Sequence, residues 1–168
     1  DQGYNIMGDD ITIPQDWSPF GWANVYAYTT GNWSPISAWN PYYWVELNKR
    51  IRAGLIFLEQ VKVIPEKDLT EAYVHQMKYE VRFLIAYYYS LMIELYGPIP
   101  FTPGVIFPVD APESELMTSQ RPYNEIVAWI DNELLEVSQN LPAVYPNNTD
   151  WGRATSVMAL AIRAKTLL

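Results

Sequence analysis

The 168-residue chain contains no cysteine and a single histidine. Disulfides, thiol catalysis and Cys-ligated zinc are therefore excluded. Basic residues are also scarce: eleven Lys and Arg stand against nineteen Asp and Glu, for a formal charge of −8. Affinity for a phosphate backbone rests on Lys and Arg neutralising it, so nucleic acid is a poor partner for this chain. No apolar run is long enough to span a bilayer as a helix. Neither a Gly-rich phosphate loop nor a nucleophile elbow is present. Asp9, Asp10 and Asp16 lack the spacing of a calcium loop and read as surface acidity. His75 falls in a helical stretch beside Glu71 and Lys78, without the oriented partner that histidine catalysis requires. The expectation is a binding protein with no catalytic residue, metal ligand or cofactor.

What the chain does have is aromatic surface with polar handles. It carries seven Trp and thirteen Tyr against five Phe, within a globular composition of 49% apolar and 18% charged residues. Five of the seven Trp fall between residues 17 and 44, in a stretch interleaved with Gly, Ser, Asn and Pro. Trp and Tyr rings that stack on the apolar face of a sugar, with the amides of Asn24, Asn32 and Asn40 bonding its hydroxyls, would make a carbohydrate platform. The alternative is that these rings anchor an irregular segment to the helices that follow. Both readings stand at this level.

Residues 1–40 show no helical period, whereas 41–168 read as four helices separated by proline-rich punctuation. The first is expected over 41–64, capped by Asn40, with Trp44, Leu47, Ile51, Leu55 and Leu58 on one face and Pro65 as its stop. The second is expected over 69–96. Asp68 and Glu71 form its capping box, and Tyr73, Met77, Val81, Leu84, Tyr88, Leu91 and Leu95 form its inward row. A four-residue turn, "PEKD", makes these two a hairpin. Five prolines within residues 98–112 then forbid helix interior and central strand, leaving an ordered or extended loop. Helix three is expected from Pro122 to Leu141, with Ile126, Ile130, Leu134, Val137 and Leu141 inward. Helix four starts near Ala154 and still runs at Leu168. Two hairpins in series predict an all-α fold of tetratricopeptide-like helical hairpins with long irregular loops. The abrupt start at "DQGYNIMGDD" and the missing helix stop in "IRAKTLL" lead us to expect a piece of a longer protein.

Four stretches carry a family resemblance. "EVRFLIAYYYSLMIELYGPIPF" resembles the signature helix of SusD-like (RagB/SusD) outer-membrane nutrient-binding proteins, with Glu80, Arg82, Phe83, Leu84, Ala86, Tyr87, Tyr88, Tyr89, Leu95, Tyr96, Gly97 and Pro100 in place. "IRAGLIFLEQV", "RPYNEIVAWIDNELLEVSQNLP" and "GRATSVMALAIRAKTLL" resemble three further family segments, in the family's order. Ile85 departs from the family's Arg, Gly54 from its helix-one Asn and Leu91 from its usual Asp. The resemblance implies a surface lipoprotein on the outer face of the outer membrane, anchored through a Cys upstream of Asp1. It also implies that the protein captures an oligosaccharide, or a peptide in some branches, and hands it to a TonB-dependent SusC-like transporter. Under that reading the candidate ligand-binding residues are Trp22, Tyr28, Asn32, Trp33, Trp39 and Asn40. The competing expectation is a helical-repeat scaffold that binds a protein partner with its aromatics buried.

Overall fold

The computed structural model describes residues 42–168, and within them one compact unit spans Glu46–Leu168. Among the described residues every regular element is helical: α1 (Tyr42–Gln60), α2 (Glu71–Tyr96), the single turn α3 (Glu113–Leu116), α4 (Tyr123–Asn140) and α5 (Ser156–Leu167), with short 3-10 turns at Pro65–Lys67 and Asn148–Asp150. Among the described residues the only β-type pairings are two isolated bridges. The all-α, helical-hairpin expectation holds.

Helix α1 buries Leu47 and Ile51, with Leu55 and Leu58 half-buried along the same row. It ends at Gln60, earlier than the expected stop at Pro65. Pro65 instead opens a 3-10 turn, Pro65–Lys67, closed by backbone bonds in both directions between Ile64 and Leu69 at 3.0 and 3.2 Å. Asp68 adopts the left-handed conformation at φ 59°, which Asp tolerates better than most residues. That geometry removes Asp68 from the capping role. Thr70 caps α2 instead, its Oγ1 accepting from the Tyr73 N–H at 3.3 Å. At the other end Gly97, at φ 68°, donates to the Ile93 carbonyl at 3.0 Å, and Pro98 prevents continuation.

The buried face of α2 differs from the expected row. Tyr73, Leu84 and Leu95 are each more than a third exposed, while Phe83, Ile85, Ala86, Tyr89, Met92 and Ile93 are buried. Tyr79, Arg82 and Tyr89 share the stripe that meets α4: Tyr79 and Arg82 bond α4 carboxylates, and Tyr89 packs on Trp129. A second stripe, Val81, Leu84, Ile85 and Tyr88, lies toward α1. With two flanking partners, α2 is apolar over more than one row. Of its three consecutive tyrosines, Tyr89 is the buried one.

Five prolines do not leave the 98–112 segment loose. Ile99 and Phe101 are buried, Arg121 N donates to Ile99 O at 3.0 Å, and Arg52 of α1 donates to Phe107 O at 2.5 Å. Phe101 completes a three-ring cluster with Tyr89 and Trp129. Its centroids lie 4.8 to 5.5 Å apart and every pair is edge-on, the arrangement the ring quadrupoles favour. Burial in this cluster pushes the Tyr89 hydroxyl up to about 12.

Helix α4 follows its predicted pattern. Ile126, Ile130, Leu134 and Val137 are fully buried and Leu141 nearly so. The helix packs against both α2 and α5. Thr155 caps α5, accepting from Met158 N at 3.2 Å, and Ser156 N donates to Pro142 O at 3.0 Å, closing the second hairpin. Arg163 reaches back to Asp131 of α4 at 2.6 Å.

Candidate functional site

Between α1 and α2 runs a groove of about 300 Å³, lined by Arg50, Ala53, Gly54, Phe57, Val81, Leu84, Ile85 and Tyr88. Its shape follows from Gly54. A Cβ there would lie 3.0 Å from Ile85 Cγ1 and 3.2 Å from Val81 Cγ1, tighter than ordinary packing. Glycine thus brings the two helices together at this point. Gly54 and Ile85, two positions that depart from the resemblance, touch each other: a small residue on one helix accommodates a branched one on the other. The lining is apolar and aromatic apart from Arg50, so the groove can hold a group by contact.

The charged residues of the signature helix have a different role. Arg82 forks onto two carboxylates of α4. Its Nε and Nη2 meet Glu133 at 2.5 and 2.9 Å, and its Nη1 and Nη2 both meet Glu136 at 2.7 Å. The guanidinium also lies 4.8 Å over the Tyr79 ring. These bonds, first Glu133 and then Glu136, raise the Arg82 pKa well above its ordinary value. In return, Arg82 holds the Glu136 carboxyl at about 2. Glu80 pairs with Arg153 across 73 residues of sequence, Nε to Oε1 at 3.0 Å and Nη2 to Oε2 at 3.1 Å. Arg153 also holds Asp150, and Tyr145 Oη lies 2.8 Å from Glu80 and 3.0 Å from Ala154 O. Burial, with the Glu80 carboxylate beside it, pushes the Tyr145 hydroxyl above its usual range. These groups bond one another and clamp helices and loops together.

Among the described residues, no group of three or more His, Cys, Asp or Glu is placed to hold a metal ion. His75 is exposed and packs its ring 4.8 Å from Tyr79. The candidate binding residues Trp22, Tyr28, Asn32, Trp33, Trp39 and Asn40 lie outside the described residues, as do Asp9, Asp10 and Asp16. The most exposed aromatic among the described residues was not singled out from the sequence. Trp151, in the α4–α5 loop, is 83% exposed, and the signal for it was the run "NNTDWG".

A family model described as starch-binding and associating with the outer membrane, SusD-like, matches residues 5–168. This chain belongs to the SusD-like family. The match begins ahead of the Trp-rich stretch and so includes it. Among curated proteins, the starch-binding protein SusD of Bacteroides thetaiotaomicron is 27% identical over 159 residues, covering 93% of this chain and 26% of its own length. The solved structure of BT4246 superposes with a TM-score of 0.76 at 31% identity, over 93% of this chain and 25% of that one. A laminarin-binding SusD-like protein shares the fold, with a TM-score of 0.69 at 20% identity, over 89% of this chain and 30% of that one. The SusD-like chain thus spans about a quarter of the length of the curated relative it matches. SusD-like proteins are glycan-binding, outer-membrane-associated proteins rather than enzymes. In this SusD-like chain the signature residues Glu80, Arg82 and Arg153 form the clamps that join its helices.

Proposed function

We propose that this chain is part of a surface protein that captures an oligosaccharide and passes it to a TonB-dependent SusC-like transporter. The observation that carries the reading is the family match, which runs through the helices and the aromatic stretch alike. Starch binding by the curated relative favours a sugar ligand over a peptide. Capture would be non-covalent: Trp22, Tyr28, Trp33 and Trp39 supply rings for the apolar faces of the sugar, and Asn32 and Asn40 supply amides for its hydroxyls. Within the helical unit of residues 46–168, the Arg82 and Arg153 clamps brace the helices against one another. A Cys upstream of Asp1 would carry the lipid that holds the protein on the outer face of the outer membrane, beside the transporter.

The test is a glycan array probed with the full-length protein, paired with co-purification of outer-membrane barrels. The expected result is retention of at least one oligosaccharide class together with a barrel transporter. An empty array, with a transporter still recovered, would make the protein an interaction scaffold and refute the capture role.

A further inference from the structure

Among the described tryptophans, Trp151 is the one left in solvent on an ordered loop. The order comes from both ends of residues 145–154. At the base, Tyr145 Oη sits 3.0 Å from Ala154 O and 2.8 Å from Glu80 of α2. Arg153 forks onto the same Glu80 and turns its Nη1 to Asp150 Oδ1 at 3.1 Å. Between these anchors the backbone is bonded to itself: Asp150 N to Asn147 O at 3.0 Å, and Arg153 N to Asp150 O at 3.2 Å. Gly152, at φ 91°, makes the reversal directly after the tryptophan, a backbone conformation that side chains disfavour. The ring is thus presented by residues fixed on either side of it, so little further ordering is lost when it meets a ligand.

The chemistry of the loop narrows that ligand. Asn147, Asn148 and Thr149 are all exposed beside Trp151 in sequence, so the indole is accompanied by amides and a hydroxyl. A protein hot spot centres on a dry apolar patch rimmed to exclude water, whereas the ring's neighbours from Asn147 to Arg153 are Asn, Thr, Asp, Gly and Arg, the exposed Val144 lying seven residues away in sequence. A flat apolar face edged with donors and acceptors suits a pyranose, whose C–H face stacks and whose hydroxyls bond amides. We propose that Trp151, with Asn147 and Asn148, forms a second sugar-contact site, separate in sequence from the aromatic stretch before α1. This inference rests on the carbohydrate reading of the protein and adds a contact to it.

The experiment uses the full-length protein, titrated calorimetrically with maltoheptaose as wild type, Trp151→Ala and Trp151→Phe. Each is also oxidised with N-bromosuccinimide, with and without the sugar, and Trp151 modification is read by mass spectrometry. The expected result is affinity weakened roughly three- to tenfold by Trp151→Ala and largely kept by Trp151→Phe, with maltoheptaose protecting Trp151 from oxidation. The melting temperature stays unchanged, because the exposed ring supports nothing beneath it. Wild-type affinity in Trp151→Ala without protection overturns the second site and leaves the carbohydrate reading standing. Unchanged sugar affinity with loss of transporter co-purification makes the ring a protein contact and also overturns the site. A wild type that binds neither maltoheptaose nor any sugar on the glycan array refutes the carbohydrate reading itself.

Discussion

Replacing Arg82 with Met keeps most of the side-chain volume and removes the fork that joins α2 to α4. The loss can be bounded from the structure. The Arg82 and Glu133 side chains are 23% and 17% exposed, and Glu136 is half exposed. A fully exposed ion pair contributes about 0–1 kcal/mol, whereas breaking a buried one costs about 3–5 kcal/mol because a desolvated charge is left behind. Arg82 lies between these limits. Its Glu133 fork is mostly shielded and its Glu136 fork is screened by water, so we expect Arg82→Met to cost about 2–3 kcal/mol. Urea unfolding of parent and variant measures the difference. Arg82→Lys should recover less than half of it, because an ammonium is a point charge and cannot fork onto two carboxylates at once. A loss below about 0.5 kcal/mol for Arg82→Met, the range of ordinary surface changes, would show that the forks do not hold the helices together.

The hydrophobic contacts and the acid response give further expectations. Ile130→Ala removes a fully buried side chain where α4 packs between its neighbours, and should cost about 2–5 kcal/mol in the same unfolding assay. The Glu136 carboxyl is held at about 2, below its ordinary value of 4.5. The stability this group contributes is therefore complete above the unfolded value and is lost as pH falls through 4.5 toward 2. Melting temperature should drop across that window in the parent, and less steeply in Arg82→Met, where the cause of the shift is gone.

How much of this was legible in the sequence differs from helix to helix. Helix α4 could be read residue by residue because it has one apolar face: Ile126, Ile130, Leu134, Val137 and Leu141 recur at helical spacing, and all are buried. Helix α2 could not, because it meets α1 and α4 on different stripes. Two apolar rows then overlap, and periodicity alone cannot say which row is covered more completely. The caps show a similar ambiguity: Asp68 and Thr70 both offer an acceptor, and the left-handed turn at Asp68 decides for Thr70. The Glu80–Arg153 pair joins residues 73 apart, a relation that spacing along a chain does not encode. The family was legible from motifs whose charged members are structural clamps, so recognising it did not locate a binding surface. The aromatic platform remains a proposal from composition, outside the described residues.

In the proposed function the ligand is held by the aromatic stretch before α1. Calorimetric titration of the full-length protein with an oligosaccharide that the wild type retains tests this most directly, using Trp33→Ala and Trp39→Ala singly and together. Weaker binding is expected in each single variant, with further loss in the double variant and an unaltered helical circular-dichroism spectrum. Wild-type affinity in all three would contradict it and remove this stretch from the site.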